Sequence, residues 1–166
     1  MNTAPCPAPH PDSAAEAVLD TNVLLDWLVF RHPGLLDLGA LLAADGLHWI
    51  QTAAMRQELG YVLTPTLLQR WSASLEQVQA TINAHVRQVE APEPLQPPQR
   101  LRCADHDDQI FIDLALSRRS RWLLTRDRAL LKLARRAAAH GVTVCTPESW
   151  LARRALADAD HTGDAA

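Results

Sequence analysis

The stretch AVLDTNVLLDWL, residues 17–28, decides the fold class. Its apolar run Ala17–Leu19 predicts a buried strand that ends at Asp20. The apolar residues at positions 23, 24, 27 and 28 then share one face of a helix. A buried strand that passes directly into a helix is typical of an α/β protein with a parallel sheet.

The same alternation of strand and helix continues along the chain. Further strands are predicted at His48–Ile50, Arg121–Thr125 and Val142–Cys145. Helices are predicted at Leu35–Ala44, Ala53–Leu63, Thr66–Val86, Asp108–Arg118 and Asp127–Ala139, and Pro147 opens a last one. Strands separated by helices favour a sheet covered on both faces, so we predict a three-layer α/β/α fold with a central parallel sheet of about four or five strands.

Length and composition fit one domain. The chain has 166 residues, of which 48% are hydrophobic and 21% charged, which is ordinary for a folded protein with a sizeable core. Prolines cluster near residues 5–11 and 92–98. We therefore predict a disordered leader at 1–15, a single domain at 16–151 with a proline-rich loop at 91–99, and a flexible tail at 152–166.

The sequence favours a cytoplasmic protein without a membrane partner. No apolar run approaches the length of a membrane span, and the N-terminus lacks the pattern of a secretory signal. The three cysteines are odd in number and widely spaced, which fits a reducing compartment.

The net charge of −3 is an average over unlike segments. Residues 1–99 carry a net −6, whereas residues 100–136 combine ten basic residues with five aspartates for a net +5. Nearly all the basic residues are arginines, whose guanidinium suits phosphate oxygens better than a lysine does. The basic segment is therefore either a phosphate-contacting face or an ordinary solvated helix surface.

Two aspartates follow predicted strands. Asp20 ends the first strand and Asp127 closes RWLLTRD, and active sites of open parallel sheets lie beyond the carboxyl ends of the strands. Each aspartate also fits a helix N-cap, whose side-chain oxygen accepts a hydrogen bond from a free backbone N–H of the first turn. Position alone leaves both interpretations open.

A second acidic group lies at the start of a predicted helix. Asp105, Asp107 and Asp108 fall within four residues, where their mutual repulsion is tolerable chiefly with a cation or basic partner among them. Glu58 lies at the rim of the apolar face of the helix Ala53–Leu63, where a surface acid is an equally good interpretation.

Carboxylates without histidine or cysteine partners are hard ligands suited to Mg²⁺ or Mn²⁺. Sites that combine several carboxylates with such ions commonly hydrolyse phosphate esters. The sequence has no GxSxG elbow, glycine-rich phosphate loop or GxGxxG, which disfavours serine hydrolysis, P-loop chemistry and dinucleotide redox chemistry.

Four motifs in this order resemble the PIN domain. They are VLDTNVLLDWL, ELGYVL, CADHDDQIFIDLAL, and RWLLTRDRALLKLA with GVTVCTPESWL after it. The similarity runs from about Ala17 to Leu151 and is greatest to bacterial toxin components of toxin–antitoxin systems, related to VapC-type toxins. The resemblance implies a metal-dependent endoribonuclease that acts as the toxin of a type II pair.

Carried over residue by residue, the resemblance implies a catalytic and metal-binding centre for Mg²⁺ or Mn²⁺ made of Asp20, Glu58, Asp108 and Asp127. Its supporting residues would be Asn22, Thr125 and the adjacent acid Asp107. One position departs from the family pattern, because Arg126 stands where a glycine commonly precedes the last aspartate.

The same hypothesis assigns partners. The RNA backbone would be bound by Arg118, Arg119, Arg121, Arg126 and Arg128. A cognate antitoxin and a homodimer are expected by analogy with the family, and no membrane partner is expected. Structured RNA or single-stranded DNA remain alternative targets.

Two other functions stay open at this point. A phosphatase with a nucleophilic aspartate usually needs a second acid two residues later, and position 22 is Asn. A non-catalytic PIN-fold binding module would use its acids only as helix caps, which does not explain acids at several strand ends.

Overall fold

The computed structural model describes residues 16–44 and 46–162. The predicted leader, residues 1–15, lies outside the described residues. Within the part of the chain that the structure describes, no helix combines the length and apolar character needed to span a membrane.

A parallel sheet of five strands forms the centre of the fold, in the order β3-β2-β1-β4-β5. The strands are β1 Glu16–Leu19, β2 His48–Gln51, β3 Val86–Gln88, β4 Trp122–Leu124 and β5 Thr143–Cys145. Val18 in the central strand pairs with Ile50 on one side and Leu123 on the other. The predicted α/β fold with a parallel sheet is confirmed.

Helices cover both faces of this sheet. They are α1 Thr21–Leu28, α2 Leu38–Ala44, α3 Ala53–Val62, α4 Pro65–Arg70, α5 Leu75–His85, α6 Gln109–Arg118, α7 Arg128–Leu131, α8 Ala134–Ala138 and α9 Pro147–Thr162. Along each strand, successive side chains point to opposite faces. Thus Ala17 and Leu19 join one buried cluster with α1, α2 and α5, while Val18 joins a second cluster with α6, α7 and α8.

The predicted long helix Thr66–Val86 is wrong. The chain forms α4 and α5 instead, because Ser72 adopts a left-handed backbone conformation with φ of 50°. Ser74 then begins α5, since its Oγ accepts a hydrogen bond from the Gln77 N–H at 3.3 Å. Val86 is not the end of a helix but the first residue of β3, which pairs with β2 at the edge of the sheet.

Three other helix boundaries differ from the prediction. The segment Asp127–Ala139 divides into α7 and α8, because the Leu133 N–H bonds to the Leu130 carbonyl in a tighter turn that leaves both side chains buried. The segment Leu35–Ala44 begins with a 3₁₀ turn over Pro33–Leu35 before α2. The last helix, α9, continues into the predicted tail as far as Thr162.

The order of strands brings two loops together at the carboxyl edge of the sheet. β1 and β4 are neighbours, and the Asp20 N–H donates to the Leu124 carbonyl at 3.0 Å. The residues that follow these strands, Asp20 and Thr125–Asp127, therefore lie side by side.

Candidate active site

Asp20 is a buried acid at the start of α1. Its side chain accepts a hydrogen bond from the Thr125 hydroxyl at 2.7 Å and one from the Asn22 N–H at 3.4 Å, and only 1% of the residue is exposed. Burial raises the pKa of Asp20, and the negative charge of Asp127 raises it further, although the Thr125 hydroxyl opposes the shift. Asp20 is thus an N-cap, as one interpretation predicted, and also a member of an acidic cluster.

Thr125 connects Asp20 to Asp127. It is fully buried, and its Oγ1 accepts the Asp127 N–H at 2.9 Å while donating to Asp20. Asp127 begins α7, where its Oδ1 accepts the N–H groups of Ala129 at 2.6 Å and Leu130 at 3.2 Å. The predicted supporting residue Thr125 therefore fixes the relative position of two acids.

Asp108 joins the same cluster from the start of α6. The residue is half-buried, and its side chain makes no capping hydrogen bond to the helix. Burial, followed by repulsion from Asp20, Asp127 and Asp105, raises the pKa of Asp108 to about 7, and a hydrogen bond with Asp127 adds to the shift. The neighbours that shift the pKa of Asp108 are all acids, which marks this group as a cluster of mutually repelling carboxylates.

Glu58 reaches the cluster from α3. Its Oε1 accepts a hydrogen bond from the Thr21 hydroxyl at 2.9 Å. Burial raises the pKa of Glu58, and repulsion from Asp20 and Asp107 raises it further, while the Thr21 hydrogen bond opposes the shift. The structure thus brings together the four acids that the sequence singled out, with Asp107 exposed beside them.

Two residues that hold the cluster were not predicted. Thr21 follows Asp20 directly in the chain, and its hydroxyl fixes Glu58. Gln109 follows Asp108 and anchors the preceding loop, because it accepts the Cys103 N–H and donates to the Leu101 carbonyl, both at 2.8 Å. Their position next to the acids was the only signal in the sequence. Asn22, in contrast, is exposed and contacts Asp20 through its backbone.

The donor chemistry of this cluster fits a hard divalent cation. Carboxylate oxygens that repel one another are the usual ligands of Mg²⁺ and Mn²⁺. Across residues 16–44 and 46–162, no three acidic, histidine or cysteine side chains already surround one cation position. Binding would therefore require some of the carboxylates to turn towards a shared ion.

Three of the five predicted RNA-binding arginines lie away from these acids. Arg118 holds Glu16, the first residue of β1, with its Nε 3.0 Å from Oε2 and its Nη2 2.5 Å from Oε1. Arg119 caps the carboxyl end of α6, and Arg121 precedes β4 with its guanidinium 5.8 Å from the centre of the Trp122 ring. All three lie at the amino edge of the sheet, opposite the acids.

The other two arginines flank Asp127. Arg128 is exposed at the first position of α7. Arg126 pairs with Asp26 and Glu148, with nitrogen–oxygen distances of 2.5 Å to each. The carboxyl edge therefore carries two of the arginines that the sequence assigned to RNA.

Fold and site together define an α/β protein whose carboxylates gather at the carboxyl edge of a parallel sheet. The family model of the PIN domain matches residues 16–129, more than half of the chain and a range that includes all four acids. The chain belongs to the PIN domain family, whose members are typically nucleases. It matches no curated protein and no solved structure at a significant level.

Proposed function

We propose that this protein is an endoribonuclease that depends on a divalent cation, Mg²⁺ or Mn²⁺. The observation that carries the proposal is the meeting of Asp20, Asp108 and Asp127 at one edge of the sheet, where burial and then repulsion from the other two acids raise the pKa of Asp108 to about 7. Family membership supports nuclease chemistry in general.

In this proposal the four acids hold the cation and the threonines hold the acids. Thr125 orients Asp20 and the loop of Asp127, and Thr21 orients Glu58. A bound divalent cation supplies positive charge that activates water and stabilises the oxygen that leaves phosphorus. Arg128, exposed directly after Asp127, is a predicted RNA contact beside this centre.

The phosphatase alternative has less support. It requires a nucleophilic Asp20 and a second acid at position 22, which is an exposed Asn. Asp20 is only 1% exposed, and Thr125 and the Asn22 N–H both bind its carboxylate. The missing second acid at position 22 therefore disfavours the phosphatase alternative.

The first experiment compares cleavage of a defined single-stranded RNA by wild type, Asp20→Asn and Asp127→Asn. Reactions contain Mg²⁺, Mn²⁺ or a chelator, and Glu76→Gln, an exposed acid on α5, is the matched control. We expect cleavage by wild type and the control only with a cation, and none by the two aspartate variants. Cleavage that persists in those variants or with chelator would contradict the proposal.

The toxin role and its partners are a finer part of the same proposal. They rest on the resemblance of the sequence motifs to toxin components. Expression of the chain alone should then arrest growth of a bacterial host, whereas Asp20→Asn should not. Co-expression of a cognate antitoxin should restore growth, and light scattering should give the mass of a dimer. Normal growth with soluble, RNA-cleaving protein present would reject the toxin role and leave the nuclease proposal intact.

A further inference from the structure

Arg126 links two helices across the candidate site. Its Nη2 donates to Glu148 Oε1 on α9 at 2.5 Å, and its Nε forms an ion pair with Asp26 Oδ2 on α1 at 2.5 Å that lacks the geometry of a hydrogen bond. The separate nitrogens of a guanidinium can face two carboxylates at once, here through one hydrogen bond and one ion pair.

This link lies directly beside the acids. Arg126 immediately precedes Asp127, and α1 begins immediately after Asp20. α9 follows β5, which is the neighbour of β4. The arginine therefore ties the loop that carries Asp127 to the helices on both sides of it.

Charge disfavours a role for Arg126 in binding phosphate. Together with Asp26 and Glu148 it forms a group with a net charge of −1, so its positive charge is already compensated. Burial alone would raise the pKa of Glu148, but backbone hydrogen bonding and the Arg126 guanidinium bring it below its ordinary value. Turning Arg126 towards RNA would leave two carboxylates without this partner, and the Asp26 side chain is only 21% exposed.

The geometry points to Arg126 as a positioning residue that fixes the Asp127 loop against α1 and α9, and not as an RNA contact. Glu148 lies beyond the matched range of 16–129, so the last helix of this chain takes part in shaping the site. The tests by Mn²⁺ binding and RNA cleavage rest on the proposed function, whereas the test by hydrogen exchange does not.

The structural test is hydrogen exchange of the Ala129 and Leu130 amides, both of which donate to Asp127 Oδ1. It compares metal-free wild type with Arg126→Ala and Glu148→Gln. The control is Arg70→Ala, an exposed arginine on α4. We expect protection to fall several-fold in the first two variants and to stay unchanged in the control. Equal protection in all four proteins overturns the inference, whether or not the chain is a nuclease.

The functional test separates positioning from phosphate contact. Loss of a residue that orients a metal ligand commonly costs about 10- to 100-fold in affinity or activity. We expect Arg126→Ala to weaken Mn²⁺ binding by about tenfold and to lower kcat, with KM for RNA within about twofold of wild type. Glu148→Gln should likewise weaken Mn²⁺ binding and lower kcat. Arg126→Lys should lie between Arg126→Ala and wild type in both quantities.

A phosphate contact gives the opposite pattern. Arg126→Ala would then raise KM and leave Mn²⁺ affinity unchanged, and Glu148→Gln would bind RNA at least as well as wild type. That result overturns the inference. Should wild type neither bind Mn²⁺ nor cleave RNA, the proposed function fails, and the exchange experiment still decides the role of Arg126. Glu148→Gln keeps the test informative if Arg126→Ala does not fold.

Discussion

The Thr125 hydroxyl lies 2.7 Å from Asp20 Oδ2 and so joins the end of β4 to the end of β1. The same oxygen accepts the Asp127 N–H at 2.9 Å. One buried hydroxyl thus sets the distance between two acids that are more than a hundred residues apart in the chain. The role of this side chain can be separated from that of the acids by substitution.

Thr125→Val should weaken both stability and cation binding. Valine keeps the shape of threonine but leaves Asp20 without its hydroxyl donor, and an unsatisfied buried polar group costs about 1–3 kcal/mol. Urea unfolding measures the first effect and calorimetry with Mn²⁺ the second. Thr125→Ser, which retains the hydroxyl, is the control and should bind Mn²⁺ as wild type does. Equal Mn²⁺ affinity in the valine variant would show that Thr125 does not orient the acids.

Thr21→Val should act on Glu58 alone. Its hydroxyl donates to Glu58 Oε1, and Thr21 is 7% exposed, so the variant removes one donor from a buried position. We expect a weaker affinity for Mn²⁺ than in wild type, but a smaller loss than in Glu58→Gln, because the carboxylate remains. The two affinities are measured by the same titration, with Thr21→Ser as control. A larger loss in Thr21→Val than in Glu58→Gln would contradict this order.

Asp108 should make the metal-free protein less stable as pH rises. Its pKa is raised from 3.8 to about 7, so the folded protein holds a proton that the unfolded chain has lost. Stability therefore falls between about pH 4 and pH 7, because the unfolded state binds fewer protons in that range. Urea unfolding with chelator at pH 5 and pH 8 measures the fall.

Asp108→Asn supplies the matching variant. This variant should show a smaller change in the free energy of unfolding between pH 5 and pH 8. It should be more stable than wild type at pH 8, because no charge is buried at this position and the repulsion from Asp20 and Asp127 is removed. Asp37→Asn, an exposed acid outside the cluster, should behave as wild type. A pH dependence identical in Asp108→Asn and wild type would assign the effect to other groups.

The parts of the fold that sequence reasoning found are those with a local signal. β1 ends directly before Asp20, and β4 is followed three residues later by Asp127, which suffices to place both acids at the carboxyl edge. β3 lacks such a signal, since its residues Val86–Gln88 are half-buried or exposed and its partner strand lies far away in the sequence. An edge strand of this kind is defined by pairing and not by its own composition.

The arginines also show that the sequence does not predict which edge of the sheet a residue occupies. Arg118 and Arg128 belong to one basic segment, yet the sheet separates them, with Arg118 at the amino edge and Arg128 at the carboxyl edge. Segment charge therefore predicts that a basic surface exists without saying which edge carries it. β4 and its flanking loops, residues 119–127, run from the amino edge to the carboxyl edge of the sheet and so separate the two arginines.

Salt dependence should distinguish these two arginines. A residue that contacts one phosphate of single-stranded RNA contributes about 0.7 to the slope of log K against log salt. We expect Arg128→Ala to make the slope of log K against log salt shallower by about this amount. Arg118→Ala should leave the slope unchanged, because the Arg118 guanidinium binds Glu16 in the wild type. Arg118→Ala should instead lose about 1–3 kcal/mol of stability in urea unfolding, because the buried Glu16 carboxylate loses its partner. A reduced slope in Arg118→Ala at wild-type stability would mean that RNA reaches the amino edge of the sheet, opposite the acids.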